Sequence, residues 1–163
     1  MIAKTASEAA GVRDTAGYAA SGSGIYIDSS ALAKLYVPEA ESDRLNAFLR
    51  GRSDLLISEL VITEVLSTIA RKRREGKCSA VLASEIRDLL LAHVDSGYYG
   101  RLHLDPVVHR EAERLLLLES IALRTLDALH VALALSAPAT HIITYDNRLR
   151  AAAQHAGLKA IDV

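Results

Sequence analysis

The sequence predicts a three-layer α/β fold, with a mostly parallel central sheet of about four to five short strands flanked by helices. Two observations carry that reading. Short strand-like runs at Ile25–Ile27, Leu55–Ile57, Leu102–Leu104, His141–Thr144 and Lys159–Asp162 alternate with helical segments along the chain. Such alternation indicates a parallel sheet covered on both faces. Half of the 163 residues (50%) are apolar, enough for the core of one domain and too many for wholesale disorder.

Met1–Gly24 stands apart. Of its 24 residues, 16 are Ala, Gly, Ser or Thr. Such a segment buries too little to offset its ordering entropy. It reads as a flexible extension (an upstream start, a fusion scar or a linker), with a short helix over Ala3–Ala10 and a docking role left open. Residues 25–163 form the domain proper.

From Ile25 the elements follow in order. Ile25-Tyr26-Ile27 is β-prone and closes at Asp28, and a helix runs from Ser29 to about Tyr36, stopped by Pro38. A second helix covers about Ala40–Arg50. After the strand at Leu55–Ile57, Ser58 is placed to cap a longer helix over about Glu59–Glu75, which Gly76 ends. Further helices cover about Ser79–Ser96, Pro106–Glu119, Leu126–Ala137 and Asn147–His155. There is no internal repeat in the range of about 20–50 residues.

Charge and cysteine content narrow the function. Twenty acidic and 19 basic residues give a net charge of −1, so the chain is no polycation that binds nucleic acid by bulk charge, although a local basic patch remains open. Cys78 is the only cysteine, which excludes an intramolecular disulfide framework and a CxxC metal site. No apolar run approaches the roughly 20 residues of a membrane span. No secretory h-region is visible, so the expected location is the cytoplasm, without a membrane partner.

Four carboxylates stand out: Asp28, Glu64, Asp127 and Asp146. Asp28 and Asp146 follow strands, which places them at the carboxyl edge of the sheet, where α/β folds bind ligands. An Asp after a strand is also a common turn or cap residue, and for each alone that is the plainer reading. Asp127 opens a segment apolar nearly all round, and an ionised carboxylate there is costly unless paired or metal-bound. Thr125 offers an alternative cap, so Asp127 is not needed for capping. Glu64 lies roughly opposite the apolar face of Ile62, Val65, Leu66 and Ile69. A solvated face and a cleft-facing stripe fit it equally.

Together the acids suggest one chemistry. Carboxylates and waters are ligands for Mg²⁺ or Mn²⁺ rather than zinc or copper, and converging acids without a cation would repel one another. The hydroxyls of Ser30 and Thr144 are candidates for a metal water or a phosphate, against capping and strand-edge roles. Arg71, Lys72, Arg73 and Arg74 form the one basic cluster, joined by Lys77. They either complement a helix C-terminus or contact a phosphate backbone that Arg124, Arg148 and Arg150 extend. His130, His141 and His155 lack metal-ligand spacing and read as structural or surface residues, with orienting Asp127 one turn away as the alternative for His130.

Ile25-Tyr-Ile-Asp-Ser-Ser-Ala-Leu-Ala-Lys-Leu-Tyr36 resembles the opening of a PIN domain, in particular a VapC-type toxin. Ser58-Glu-Leu-Val-Ile-Thr-Glu-Val-Leu66 resembles the family's second acidic motif, Leu126-Asp-Ala-Leu-His-Val-Ala132 the third, and Ile143-Thr-Tyr-Asp-Asn-Arg-Leu149 the fourth. One motif alone is weakly specific. Four in order, with the acids 36, 63 and 19 residues apart, are strongly so. The one departure is Met1–Gly24, because the family usually opens almost at its first strand.

The resemblance implies a Mg²⁺- or Mn²⁺-dependent endoribonuclease, the toxin of a toxin–antitoxin pair. It implies Asp28 and Asp127 as main metal ligands, Glu64 and Asp146 completing the site, and Ser30 as the supporting hydroxyl. It also implies RNA products with a 5′-phosphate and a 3′-hydroxyl, a small antitoxin partner and a homodimer. Two rivals stand beside it. A phosphatase with an aspartyl nucleophile would want a second Asp where Ser30 lies. A catalytically inactive PIN-fold module that binds RNA or protein would not need four intact acids.

Overall fold

The computed structural model describes residues 24–118, 122–137 and 139–163. The expected extension, with any helix over Ala3–Ala10, lies outside them except for Gly24, which opens the first strand. The elements run β1 (Gly24–Ile27), α1 (Ser29–Tyr36), α2 (Ser42–Leu49), β2 (Leu55–Ser58), α3 (Glu59–Arg74) and α4 (Ala80–Asp95). They continue β3 (Gly100–Leu102), α5 (Pro106–Leu116), α6 (Thr125–Ser136), β4 (Ala139–Ile143), α7 (Asn147–His155) and β5 (Lys159–Ala160).

The five strands form one sheet in the order β3-β2-β1-β4-β5, and every neighbouring pair is parallel. All four residues of β1 and of β2 are buried, as strands covered on both faces must be. Tyr26, Ile27, Ile57, Leu133 and Ile142 are wholly enclosed in the core between sheet and helices. The chain steps from β1 outward to β2 and β3, then crosses to β4 on the other side of β1. The carboxyl ends of β1 and β4 therefore flank a switch point, where open α/β sheets bind ligands.

Helix starts follow the capping residues. Ser58, Ser79 and Asp105 each accept a hydrogen bond from a first-turn backbone N–H, of Val61, Leu82 and Val108 respectively. Pro106 sits at the first helical position of α5, where its missing N–H costs nothing. Gly76, at φ +72°, lets the chain leave α3 so that Lys77 N–H reaches the Lys72 carbonyl at 2.9 Å.

Several boundaries differ from the sequence reading, most of all at β3, β4, β5 and the start of α6. β3 is Gly100–Leu102 rather than Leu102–Leu104, because its register pairs Gly100 with Leu56 and Leu102 with Ser58. His103 and Leu104 lead instead into the Asp105 cap. β4 begins earlier, at Ala139, and leaves Thr144 outside, while β5 is two residues rather than four. Helix α6 starts at Thr125, so Thr125 is not its cap.

Candidate active site

Asp28, Glu64, Asp127 and Asp146 all line one open cleft of about 790 Å³ at the carboxyl ends of β1 and β4. β1 delivers Asp28, whose backbone N–H donates to Ile143 O at 3.2 Å, so it sits beside the end of β4. Asp146 follows β4 as the cap of α7. Glu64 comes from α3 and Asp127 from the first turn of α6.

Asp28 is 2% exposed. Its carboxylate caps α1 by accepting from Ala31 N–H at 3.0 Å, so the capping reading and the cleft reading both hold. Ser30 Oγ donates to both its oxygens, at 2.8 and 2.9 Å, and Thr144 Oγ1 donates to Oδ2 at 2.9 Å. Those hydroxyls are themselves fixed: Ser30 Oγ accepts from Tyr145 N–H and Thr144 Oγ1 from Asp146 N–H. Ser30 and Thr144 thus orient Asp28. Burial pushes the Asp28 pKa above the ordinary carboxyl value, against the lowering pull of the Ala31 N–H, the nearby His130 ring and the two hydroxyls.

Glu64 is half-buried and faces the cleft, so the solvated-face reading falls. Its Oε2 lies 2.7 Å from His130 Nε2. Burial would raise its pKa, but the hydrogen bond from His130 and the electrostatic pull of that ring, with the Ser29 hydroxyl, outweigh that and hold it below the ordinary value. His130 therefore serves Glu64, not Asp127. Asp127 does act in capping, contrary to the sequence reading, by accepting from Arg124 N–H at 3.2 Å. Asp146 is exposed and accepts from Arg148 and Leu149 N–H at 2.7 and 3.1 Å, the cap role expected of it alone.

The basic cluster divides. Arg71 lines the cleft with Arg124 and Lys34. Lys72 turns to Glu39 at 3.3 Å, and Lys77 to Glu75 at 2.8 Å. Arg150 pairs with Asp162 and donates to Thr144 O, so it does not extend a phosphate surface. Sequence reasoning missed Lys34, which is held between Glu39 and Glu41 and sits 4.7 Å over the Tyr145 ring. It also missed the pairing of His130 with Tyr26. The signal for that pair was two polar rings in otherwise apolar core segments.

A PIN-domain family model matches residues 25–154, a span that contains all four acids. The chain belongs to the PIN-domain family. Ribonuclease VapC46 of Mycobacterium tuberculosis is 38% identical over 139 residues, covering 84% of this chain and 95% of that protein. Ribonuclease VapC35 of the same species is 36% identical over 142 residues, with the same coverage. Among solved structures, VapC20 of Mycobacterium tuberculosis, described as a sarcin-ricin loop cleaving toxin, superimposes with a TM-score of 0.61 at 19% identity. That match spans 79% of this chain and 95% of the other, and it shows the shared fold.

The donor set suits a hard divalent cation. All four candidate donors are carboxylates, and Asp28 is deeply buried with no Lys or Arg paired to it among the described residues. Among those residues no group of three or more His, Cys, Asp and Glu side chains is placed to hold a metal ion by itself.

Proposed function

We propose that the chain is a divalent-metal-dependent endoribonuclease, with Mg²⁺ or Mn²⁺ as cofactor, acting as the toxin of a toxin–antitoxin pair. The observation that carries it is the buried, hydrogen-bonded Asp28 carboxylate at the floor of a cleft that Glu64, Asp127 and Asp146 also line. The VapC ribonuclease relatives support the substrate class.

Asp28 and Asp127 would hold the cation. The chemistry such an ion supplies is activation of water and neutralisation of charge on phosphoryl oxygens. Ser30 and Thr144 keep Asp28 fixed without consuming its charge. Glu64, held ionised, orients water protons at the cleft wall and Asp146 completes the acidic rim. Arg71 and Arg124 bind phosphates flanking the scissile bond, as side chains that position RNA without reading its sequence. Products should carry a 5′-phosphate and a 3′-hydroxyl.

The expected partners are RNA, a small antitoxin that covers the cleft, and a second copy of the chain. The exposed Val81, Val107 and Leu117 on α4 and at α5 offer apolar surface to such partners. Among the described residues no helix is long and apolar enough to cross a membrane, and a cytoplasmic site of action follows from the RNA substrate.

The test is cleavage of total bacterial RNA by purified protein with Mg²⁺, Mn²⁺ or a chelator, with 5′ ends mapped. Cleavage that needs the metal and fails in Asp28→Asn supports the proposal. Equal cleavage in chelator, or by the variant, refutes it.

A further inference from the structure

We infer that His130 is a positioning residue for Glu64, locked by a buried hydrogen-bond chain that begins at the cap of α3. The inference rests on the ribonuclease reading above. The chain has four links. Ser58 Oγ accepts from Val61 N–H at 3.3 Å and lies 3.1 Å from Tyr26 Oη. Tyr26 Oη lies 2.9 Å from His130 Nδ1, and His130 Nε2 lies 2.7 Å from Glu64 Oε2.

Proton counting gives the chain a direction. An ionised carboxylate only accepts, so Nε2 carries a proton and donates to Glu64. In the neutral ring Nδ1 then accepts from the Tyr26 hydroxyl. With its single proton so used, the phenol oxygen accepts from Ser58. Each hydroxyl donates once, and no buried side-chain polar atom among the described residues is left without a partner. Tyr26 and Ser58 are wholly buried and His130 is 3% exposed, so water cannot stand in for a missing link.

Of these members, Glu64 and His130 line the cleft, while Tyr26 and Ser58 lie buried behind it. Glutamate has three side-chain torsions, and ordering them costs free energy that a fixed donor offsets. The chain also joins the elements that carry the acids. Tyr26 lies two residues before Asp28 on β1, Ser58 and Glu64 bracket the start of α3, and His130 is one turn beyond Asp127 on α6. Support of this kind, behind the residues that touch substrate, is what keeps a site within its productive geometry.

Two substitutions separate positioning from plain packing. His130→Gln keeps an N–H near the Nε2 position, whereas His130→Asn keeps one only near Nδ1. His130→Asn should lower kcat by about 10–100-fold, with KM for a model RNA nearly unchanged, and His130→Gln should recover most of that loss. Equal activity of both variants, or equal loss that follows the folded fraction measured by melting, overturns the inference. Imidazole ¹⁵N spectra of the wild type provide a reading independent of RNA. The Nε2–H tautomer is expected at His130, and the Nδ1–H tautomer in an active protein overturns the positioning role while leaving the function. A wild type that shows Nε2–H but cleaves no RNA overturns the function instead.

Discussion

At the scale of the residue, Asp28 places a carboxyl group in nearly complete burial. Three donors satisfy its oxygens, yet among the described residues no Lys or Arg offsets its desolvation, and its pKa is pushed up accordingly. Asp28→Asn keeps the shape and removes the charge. It should melt higher than the wild type without metal and should lose detectable RNA cleavage; a lower melting temperature would mean that the charge is not a cost. Metal should reverse the order. A ligand at a hundredfold excess over its Kd stabilises by about 2.7 kcal/mol. At about 2–4 °C per kcal/mol, Mn²⁺ should raise the wild-type melting temperature by about 5–11 °C. Asp28→Asn should respond weakly, and an equal response would place the ion elsewhere. The order and spacing of the four acids singled out residues that the fold brings to one cleft. The face of Glu64 was not legible, because the partner that fixes it, His130, is 66 residues away and invisible to local periodicity. Asp127 misled for a similar reason: its cap role depends on where α6 starts, and the sequence placed that start one residue late.

At the scale of the element, the helices were legible where a capping side chain marks the start, as at Asp28, Ser58 and Asp105. β3 was not, because Leu102-His103-Leu104 has a strand-like pattern, while the pairing with β2 that decides the matter falls on Gly100 and Arg101. Its neighbourhood supports a pH prediction. His93, near the end of α4, meets Tyr36 Oη of α1 at 2.9 Å and stacks against Tyr98, just ahead of β3. Burial lowers the His93 pKa below its ordinary value of 6.5. The unfolded chain then binds a proton more readily than the folded one. The stabilising contribution is complete above pH 6.5 and is lost as pH falls through the lower folded value. His93→Gln should therefore flatten the fall in melting temperature on acidification below that pH. An unchanged slope would show that the α1–α4–β3 joint does not sense protons. The same substitution should leave RNA cleavage near neutral pH intact, since His93 does not line the cleft.

At the scale of the whole molecule, a net charge of −1 gives no general attraction for RNA, so the placement of cations must decide binding. Arg71 to Arg74 are four consecutive basic residues, and helical spacing already sends Lys72 and Arg74 to either side of Arg71. Arg71 shares the cleft with Glu64, Lys72 is engaged by Glu39, and Arg73 and Arg74 are exposed outside the cleft lining. Arg124, 53 residues further along the chain, reaches the same cleft from the start of α6. Binding should be measured on the inactive Asp28→Asn background so that cleavage does not intervene. Replacing Arg71 and Arg124 with Ala should flatten the dependence of log affinity on log salt, by about 0.7 for each single-strand phosphate that is no longer neutralised. Replacing Arg73 and Arg74 removes the same formal charge and should leave the slope nearly unchanged. The choice of cleavage site should survive both changes, because phosphate contacts position the strand and do not select its bases. If both double variants flatten the slope equally, the chain attracts RNA through its overall field. If neither does, RNA phosphates do not meet the cleft at Arg71 and Arg124, and the strand must approach the four carboxylates from another side.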